Sequence, residues 1–225
     1  HVKMMNSEDL SNALAHQLGE ALHYTEEQIA VMAYGLFALL QTLLSISVVI
    51  VMGLLLGMMS EALIISFSIA LLRKSSGGAH ATSATRCLIL GTIISLFGAW
   101  FSHFIGSFFT LPTLYSLGIL AFIWSFCTIY QKAPVASPNK PIKSVSKQQK
   151  LKYNSLLVAF FYLIGVTLLL LTYTVQSISS LLIYSICLTL GMSWQVFTLT
   201  RLGHKFAHWL DQFLIHISNT IIKGK

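Results

Sequence analysis

Long apolar runs separated by short polar punctuation organise this chain. Residues 7–24 carry Leu10, Leu14, Leu18, Ala21 and Leu22 at helical spacing, with Asn12, His16, Gln17, Glu20 and His23 between them. That pattern predicts an amphipathic helix lying in a membrane interface. Thr25-Glu26-Glu27-Gln28 then has the form of a capping box, threonine as N-cap and glutamine at N3, so a new helix is expected there. From Ile29 to Leu72 the chain is almost continuously apolar for 44 residues, enough for two crossings of a hydrocarbon core about 30 Å thick. The break between the two is expected around Gly53, Gly57 and Ser60-Glu61.

A polar island at residues 73–87 precedes a third span over 88–106. Thr110-Leu111-Pro112 reads as an N-cap with proline in the first turn, opening a fourth span that runs to Tyr130. Residues 131–152, with Pro134, Pro138, Pro141 and six lysines, are expected as a solvated loop. Spans at 153–175 and 178–200 follow, separated by a turn near Gln176-Ser177. The tail, 201–225, is polar with interspersed Phe206, Trp209, Leu210, Phe213, Leu214 and Ile217, and is expected as a helix on the membrane surface. The fold class is therefore all-α. It is a single polytopic membrane domain over 1–225, with six transmembrane helices plus the amphipathic N-terminal helix.

Composition supports that class. The chain is 55% hydrophobic and 9% charged, with a mean hydropathy of +0.75, where soluble domains carry about 25% charged residues. The first apolar run follows about thirty polar and amphipathic residues and has no small-residue cleavage site behind it, so it reads as a retained span, not a signal peptide. A net charge of +7, from 14 basic and 7 acidic residues, points to membrane orientation and anionic lipid as a partner. There is no basic–aromatic stripe suited to nucleic acid. The three cysteines, Cys87, Cys127 and Cys187, lie in or beside apolar segments. They do not suggest a disulfide framework, and two of them are expected as small core hydrophobes.

With six spans, all 14 Lys and Arg residues fall on one side, and the turns near 53–61, 105–111 and 175–178 carry none. The positive-inside rule then places both termini and the 73–87 island in the cytoplasm of the cell membrane.

The island reads Arg73-Lys74-Ser75-Ser76-Gly77-Gly78-Ala79-His80-Ala81-Thr82-Ser83-Ala84-Thr85-Arg86-Cys87. A thiol and an imidazole in one short segment make a candidate nucleophile and base. On one straight helix, seven residues would separate His80 from Cys87 by ~10 Å, too far for a hydrogen bond. Gly77-Gly78 favours a turn, and Thr82, Ser83 or Thr85 can N-cap the third span. His80 then folds back from the loop, while Cys87 sits in the first helical turn. There the positive end of the helix dipole and the neighbouring Arg86 stabilise a negative charge on sulfur. Spacing alone leaves a second reading open, with Cys87 a buried span residue and His80 an interfacial side chain. His204 and His208 stand four apart on a helix but lack a third ligand, so no metal or cofactor is expected. Cys127 and His103 read as structural. No HExxH, Walker loop or dinucleotide fingerprint is present.

Arg73-Lys74, Gly77-Gly78-Ala79-His80-Ala81 and Cys87, following two spans, resemble the signature of the AgrB family. These are membrane cysteine endopeptidases of Gram-positive bacteria that process quorum-sensing propeptides. Ala133-Pro134-Val135-Ala136 and Lys140-Pro141-Ile142, with the lysine-rich run after them, resemble the same family. The long amphipathic tail after Leu202 departs from its pattern. The resemblance implies that Cys87 attacks a peptide bond of an AgrD-like propeptide to form an acyl-thioester, with His80 as base and then acid. A nucleophile within the substrate would close a ring, and water would give hydrolysis. A homodimer is also implied. Arg73, Lys74 and Arg86 would hold an acidic substrate tail or simply anchor the topology. Gly77, Gly78 and Ser83 would line the substrate, and backbone N–H groups near Cys87, with Ser83 or Thr85, would face the oxyanion. No acid is expected to complete a triad. Glu61 falls on the opposite face, Asp211 lies in the tail, and Glu20, Glu26 and Glu27 approach only through the N-terminal helix. A non-enzymatic peptide exporter or receptor is the competing class, and the scarcity of intramembrane charge argues against a transport path.

Overall fold

A computed structural model describes residues 7–79, 81–135 and 144–223. His80 lies outside the described residues, as do Ala136 and the Lys140-Pro141-Ile142 stretch. The described residues form α1 (Ser7–Ala21), α2 (Glu26–Leu55), α3 (Met59–Ser76), α4 (Ala84–Phe108), α5 (Leu111–Lys132), α6 (Val145–Gln176), α7 (Ser179–Phe197) and α8 (Arg201–Lys223). The architecture among them is all-helical, with one isolated bridge between Gly77 and Val135. The chain forms two compact units, 1–48 and 49–225.

In the first unit, the capping box at Thr25 forms as its residues predict. The Thr25 N–H donates to Gln28 Oε1 at 2.9 Å, and the Gln28 N–H donates to Thr25 Oγ1 at 3.4 Å. Two amides that a helix start leaves without partners are thereby satisfied.

The second unit begins within α2, whose end falls at the predicted break. Gly57 takes φ 68°, and the Met58 N–H closes onto Gly53 O at 2.9 Å. Thr110 caps α5 with Pro112 in its first turn, and Ser177 takes a left-handed φ of 54° between α6 and α7. One boundary is corrected. Val145–Lys152, read as solvated loop, forms the first turns of α6. The prolines stop at Pro141, and the Lys, Gln and Leu that follow are good helix formers. Lys152 Nζ sits 4.0 Å from the Tyr130 ring centroid, fastening that start to the end of α5.

Five helices, α2, α4, α5, α6 and α7, are long and apolar enough to cross a membrane. The chain is a multi-pass membrane protein. The sequence count of six differs by α3, which carries Glu61 in its first turn and Arg73 and Lys74 in its last.

Helix α3 packs against α4, α6 and α7, and α5 against α6 and α7. Small residues let these helices approach closely. A Cβ on Gly191 of α7 would lie 2.7 Å from Ser68 Cβ and 3.0 Å from Ile65 O on α3. The Tyr162 hydroxyl of α6 donates to Ser68 O at 2.8 Å. Leu72, Phe122, Ile129, Tyr162, Met192 and Val196 make one core cluster. A second gathers Ala62, Ile65, Ala99 and Cys187, and the Cys187 thiol donates to Ser102 Oγ at 3.2 Å. Of the cysteines, only Cys187 is a core residue; Cys127, expected to pack, is exposed. The outer flanks are apolar too. Phe97, Phe101, Phe104 and Phe108 stack along α4, a surface that suits lipid and would be a liability in water.

Candidate active site

The island's glycines are held from two sides. Helix α3 ends at Gly77, whose φ of 69° an L side chain rarely adopts, with its N–H donating to Arg73 O. On one side the Val135 N–H donates to Ser76 O at 2.9 Å, just after the cis Ala133–Pro134 bond. This joins the two segments on which the family resemblance rests. On the other side stands the end of α7. Gln195 Nε2 donates to Gly77 O at 2.7 Å and to Ser76 Oγ at 3.1 Å, and the Ala79 N–H donates to Thr198 O at 3.3 Å. Gly78 has φ 127°, and a Cβ there would lie 2.6 Å from Thr198 Oγ1. Both glycines are required by their dihedrals and by their neighbours, since a Cβ on Gly77 would collide with the Val135 carbonyl.

Helix α4 starts four residues before the expected 88, with Ser83 extended at the N-cap and making no side-chain cap bond. Cys87 is therefore in the first turn, and its N–H donates to Ser83 O at 2.9 Å. The thiol is half-buried. Burial works against the charge of the Arg73 guanidinium at the end of α3, and the nearby Cys87 works in its favour. Arg73 Nε and Nη2 are enclosed and have no hydrogen-bond partner among the described residues. Lys74, one residue on, is exposed.

Arg86 is engaged elsewhere. Its Nε donates to Asp211 Oδ1 at 2.6 Å, and its Nη2 donates to Thr82 Oγ1. Asp211 Oδ2 accepts from the Thr82 hydroxyl at 2.7 Å and from the Thr82 N–H at 3.2 Å. Asp211 is 1% exposed. Burial opposes its charge, but the bonds from Thr82 and Arg86 outweigh burial and hold the carboxyl below its ordinary range.

Arg73, Gly77, Gly78, Ser83, Arg86 and Cys87 are thus gathered where α3 ends and α4 begins. Two expectations are corrected. Asp211, set aside as part of the tail, reaches the island because α8 folds back along it. Arg86, expected to act on Cys87, is paired with that acid, and Arg73 also lies near Cys87. Gln195 and Thr198 were not foreseen. A lone glutamine in an apolar span is the signal for Gln195, since such a group needs an interior partner. Nothing in the sequence marks the backbone contact of Thr198. His204 Nδ1 lies 3.0 Å from Thr200 O, within its own helix start. No group of three potential metal ligands occurs among the described residues.

The family model for Accessory gene regulator B matches residues 11–199. A protein of Clostridium perfringens strain SM101 named "Putative AgrB-like protein" is 35% identical over 209 residues, covering 92% of this chain and 97% of the relative. "Putative AgrB-like protein 2" of Clostridium perfringens strain 13 is 34% identical with the same coverage of both chains. No solved structure gives a significant match. With the glycine loop, the Ala133–Val135 segment and Cys87 all inside the matched region, the chain belongs to the Accessory gene regulator B (AgrB) family and to the accessory gene regulator system.

Proposed function

We propose that this protein is a membrane cysteine endopeptidase that removes the C-terminal segment of an AgrD-like propeptide and cyclises the remainder. The observation that carries the reading is Cys87 in the first turn of α4, near enough to Arg73 for the two to interact, with Arg73 Nε and Nη2 enclosed and lacking a hydrogen-bond partner among the described residues. A helix start and a cation both favour a sulfur that is negative and nucleophilic.

The thiolate of Cys87 attacks the scissile carbonyl, forming a C–S bond, and collapse of the tetrahedral intermediate breaks the C–N bond. His80 takes the thiol proton and returns it to the leaving amine. The propeptide's N-terminal part is left as a thioester on Cys87. A thiol or hydroxyl within that peptide then attacks the thioester carbonyl, closes the ring and releases Cys87 as a thiol. The N–H groups at the start of α4 are suited to the oxyanion, since a first helical turn directs such groups outward. Arg73 suits either the thiolate or a substrate carboxylate, and Arg86, held by Asp211, offers less free charge to substrate.

Six spans support a cytoplasmic site better than five. Helix α3 has 18 residues, a rise of ~27 Å, and lies among spanning helices. Its two ends match the two ends of α4. His103 Nε2 lies 3.3 Å from Glu61 Oε1 at one, and Arg73 senses Cys87 at the other. Counting α3 puts all the basic residues on the site's side, which the positive-inside rule assigns to the cytoplasm. Lipid covers the apolar flanks, and the family resemblance implies a homodimer.

Cys87→Ala and His80→Ala are each expected to abolish propeptide cleavage while membrane insertion and expression stay at wild-type levels. Full cleavage by either variant contradicts the reading.

A further inference from the structure

Helix α8 begins at Arg201, just beyond the region matched by the family model, and no step of the proposed chemistry uses it. Its sequence has two working faces. Gly203, Ala207, Asp211 and Ile215 recur every four residues, and Gly203 and Asp211 are buried. Phe206, Trp209 and Phe213 lie on another side, stacked with centroids 5.9 Å apart at each step and largely exposed. An amphipathic helix of this kind seats its aromatic face in the membrane interface.

The buried face carries an acid to one place. A carboxylate removed from water needs donors, and Asp211 has three: the Thr82 N–H, the Thr82 hydroxyl and Arg86 Nε. Thr82 is two residues after His80, and Arg86 immediately precedes Cys87. The pair can meet only if the chain turns between them, and the groups Asp211 ties together are on that turn and on the first helical turn beyond it. The Arg86–Thr82 bond closes the triangle. The hydrogen bonds from Gln195, Thr198 and Val135 hold the loop at Ser76, Gly77 and Ala79. Between residue 79 and the body of α4, Asp211 supplies a tertiary restraint through Thr82 and Arg86.

We propose that Asp211 is a positioning residue for the Cys87 site, and that α8 is a membrane-seated clasp that carries it across residues 82–86. The proposal rests on the endopeptidase reading only for what the positioned thiol does. Its test is independent of substrate.

Full-length protein in phosphatidylethanolamine–phosphatidylglycerol liposomes, with Cys127→Ala and Cys187→Ala, is followed by two measurements. One is hydrogen exchange of the peptide covering residues 81–87, and the other is the rate at which iodoacetamide alkylates Cys87 at neutral pH. Asp211→Ala is expected to speed exchange at least tenfold and slow alkylation at least fivefold. Asp211→Asn keeps one acceptor oxygen, enough for Thr82 or for Arg86 but not for both, and is expected to give changes intermediate between wild type and Asp211→Ala, which loss of folding would not allow. If Asp211→Ala fails to insert, Thr82→Val, at an exposed position, carries the test through the same two changes at threefold or more. Unchanged exchange in the variants overturns the clasp, and faster exchange with unchanged alkylation overturns positioning. A His80→Ala variant that alkylates at the wild-type rate would count against the endopeptidase reading, while the exchange result would still judge the clasp.

Discussion

At Cys87, two features combine that neither the thiol nor its helix supplies alone. The first turn of α4 fixes where the sulfur stands, and Arg73 supplies a cation from a different helix. Arg73→Gln removes that charge and retains much of the side-chain volume, so Cys87 alkylation at neutral pH is expected to slow about three- to tenfold. An unchanged rate would remove Arg73 from the account. Gly77 is constrained differently, by a left-handed φ and by the backbone of Val135 against it. Gly77→Ala is expected to break the Ser76–Val135 bond and cut cleavage at least tenfold with expression retained. Cleavage at the wild-type rate would contradict that. The residues of the island were legible because they break an apolar pattern. Their partners were not, because Asp211 and Gln195 are more than a hundred positions away, and only the packed helices bring them near.

Helix boundaries were legible wherever local chemistry marks them. Thr25–Gln28, Gly53–Gly57, Thr110–Pro112 and Ser177 each act through bonds or dihedrals within a few residues. The lysine-rich start of α6 is not legible because its charges look like those of a solvated loop, and a helix end outside the membrane tolerates charge. Helix α8 was legible as an amphipathic helix, but its contact with the island was not. Its pH response follows from Asp211. The folded carboxyl is held below its ordinary range, so the clasp's contribution is fully present above that range and is lost as pH falls through the depressed value. Trp209 emission is therefore expected to hold steady from neutrality to about pH 5 and to shift only below about pH 4. A transition near neutrality would contradict the assignment.

On the scale of the molecule, the bundle rests on close helix approach, and α7, packed against α3, α4, α5 and α6, is its centre. Gly191→Leu places a side chain where even a Cβ would crowd Ser68 and Ile65. It is expected to lower unfolding free energy in detergent by about 1–3 kcal/mol, and no loss would show that α3 and α7 can separate freely. The proposed six-span count also predicts sidedness. In a background without native cysteines, Ser177→Cys should react with a membrane-impermeant maleimide on intact cells, and Ser144→Cys only after permeabilisation. The reverse would invert the topology. Charge asymmetry is what carries that arrangement in the sequence, because with six spans all the basic residues share one side. The central claim concerns one sulfur atom, and its most direct measurement is mass spectrometry of wild-type protein trapped during turnover with an AgrD-like propeptide. The account predicts a hydroxylamine-labile adduct on Cys87 with the mass of the propeptide lacking its C-terminal segment. Cleavage that proceeds with no such adduct, and equally well in Cys87→Ala, would contradict it.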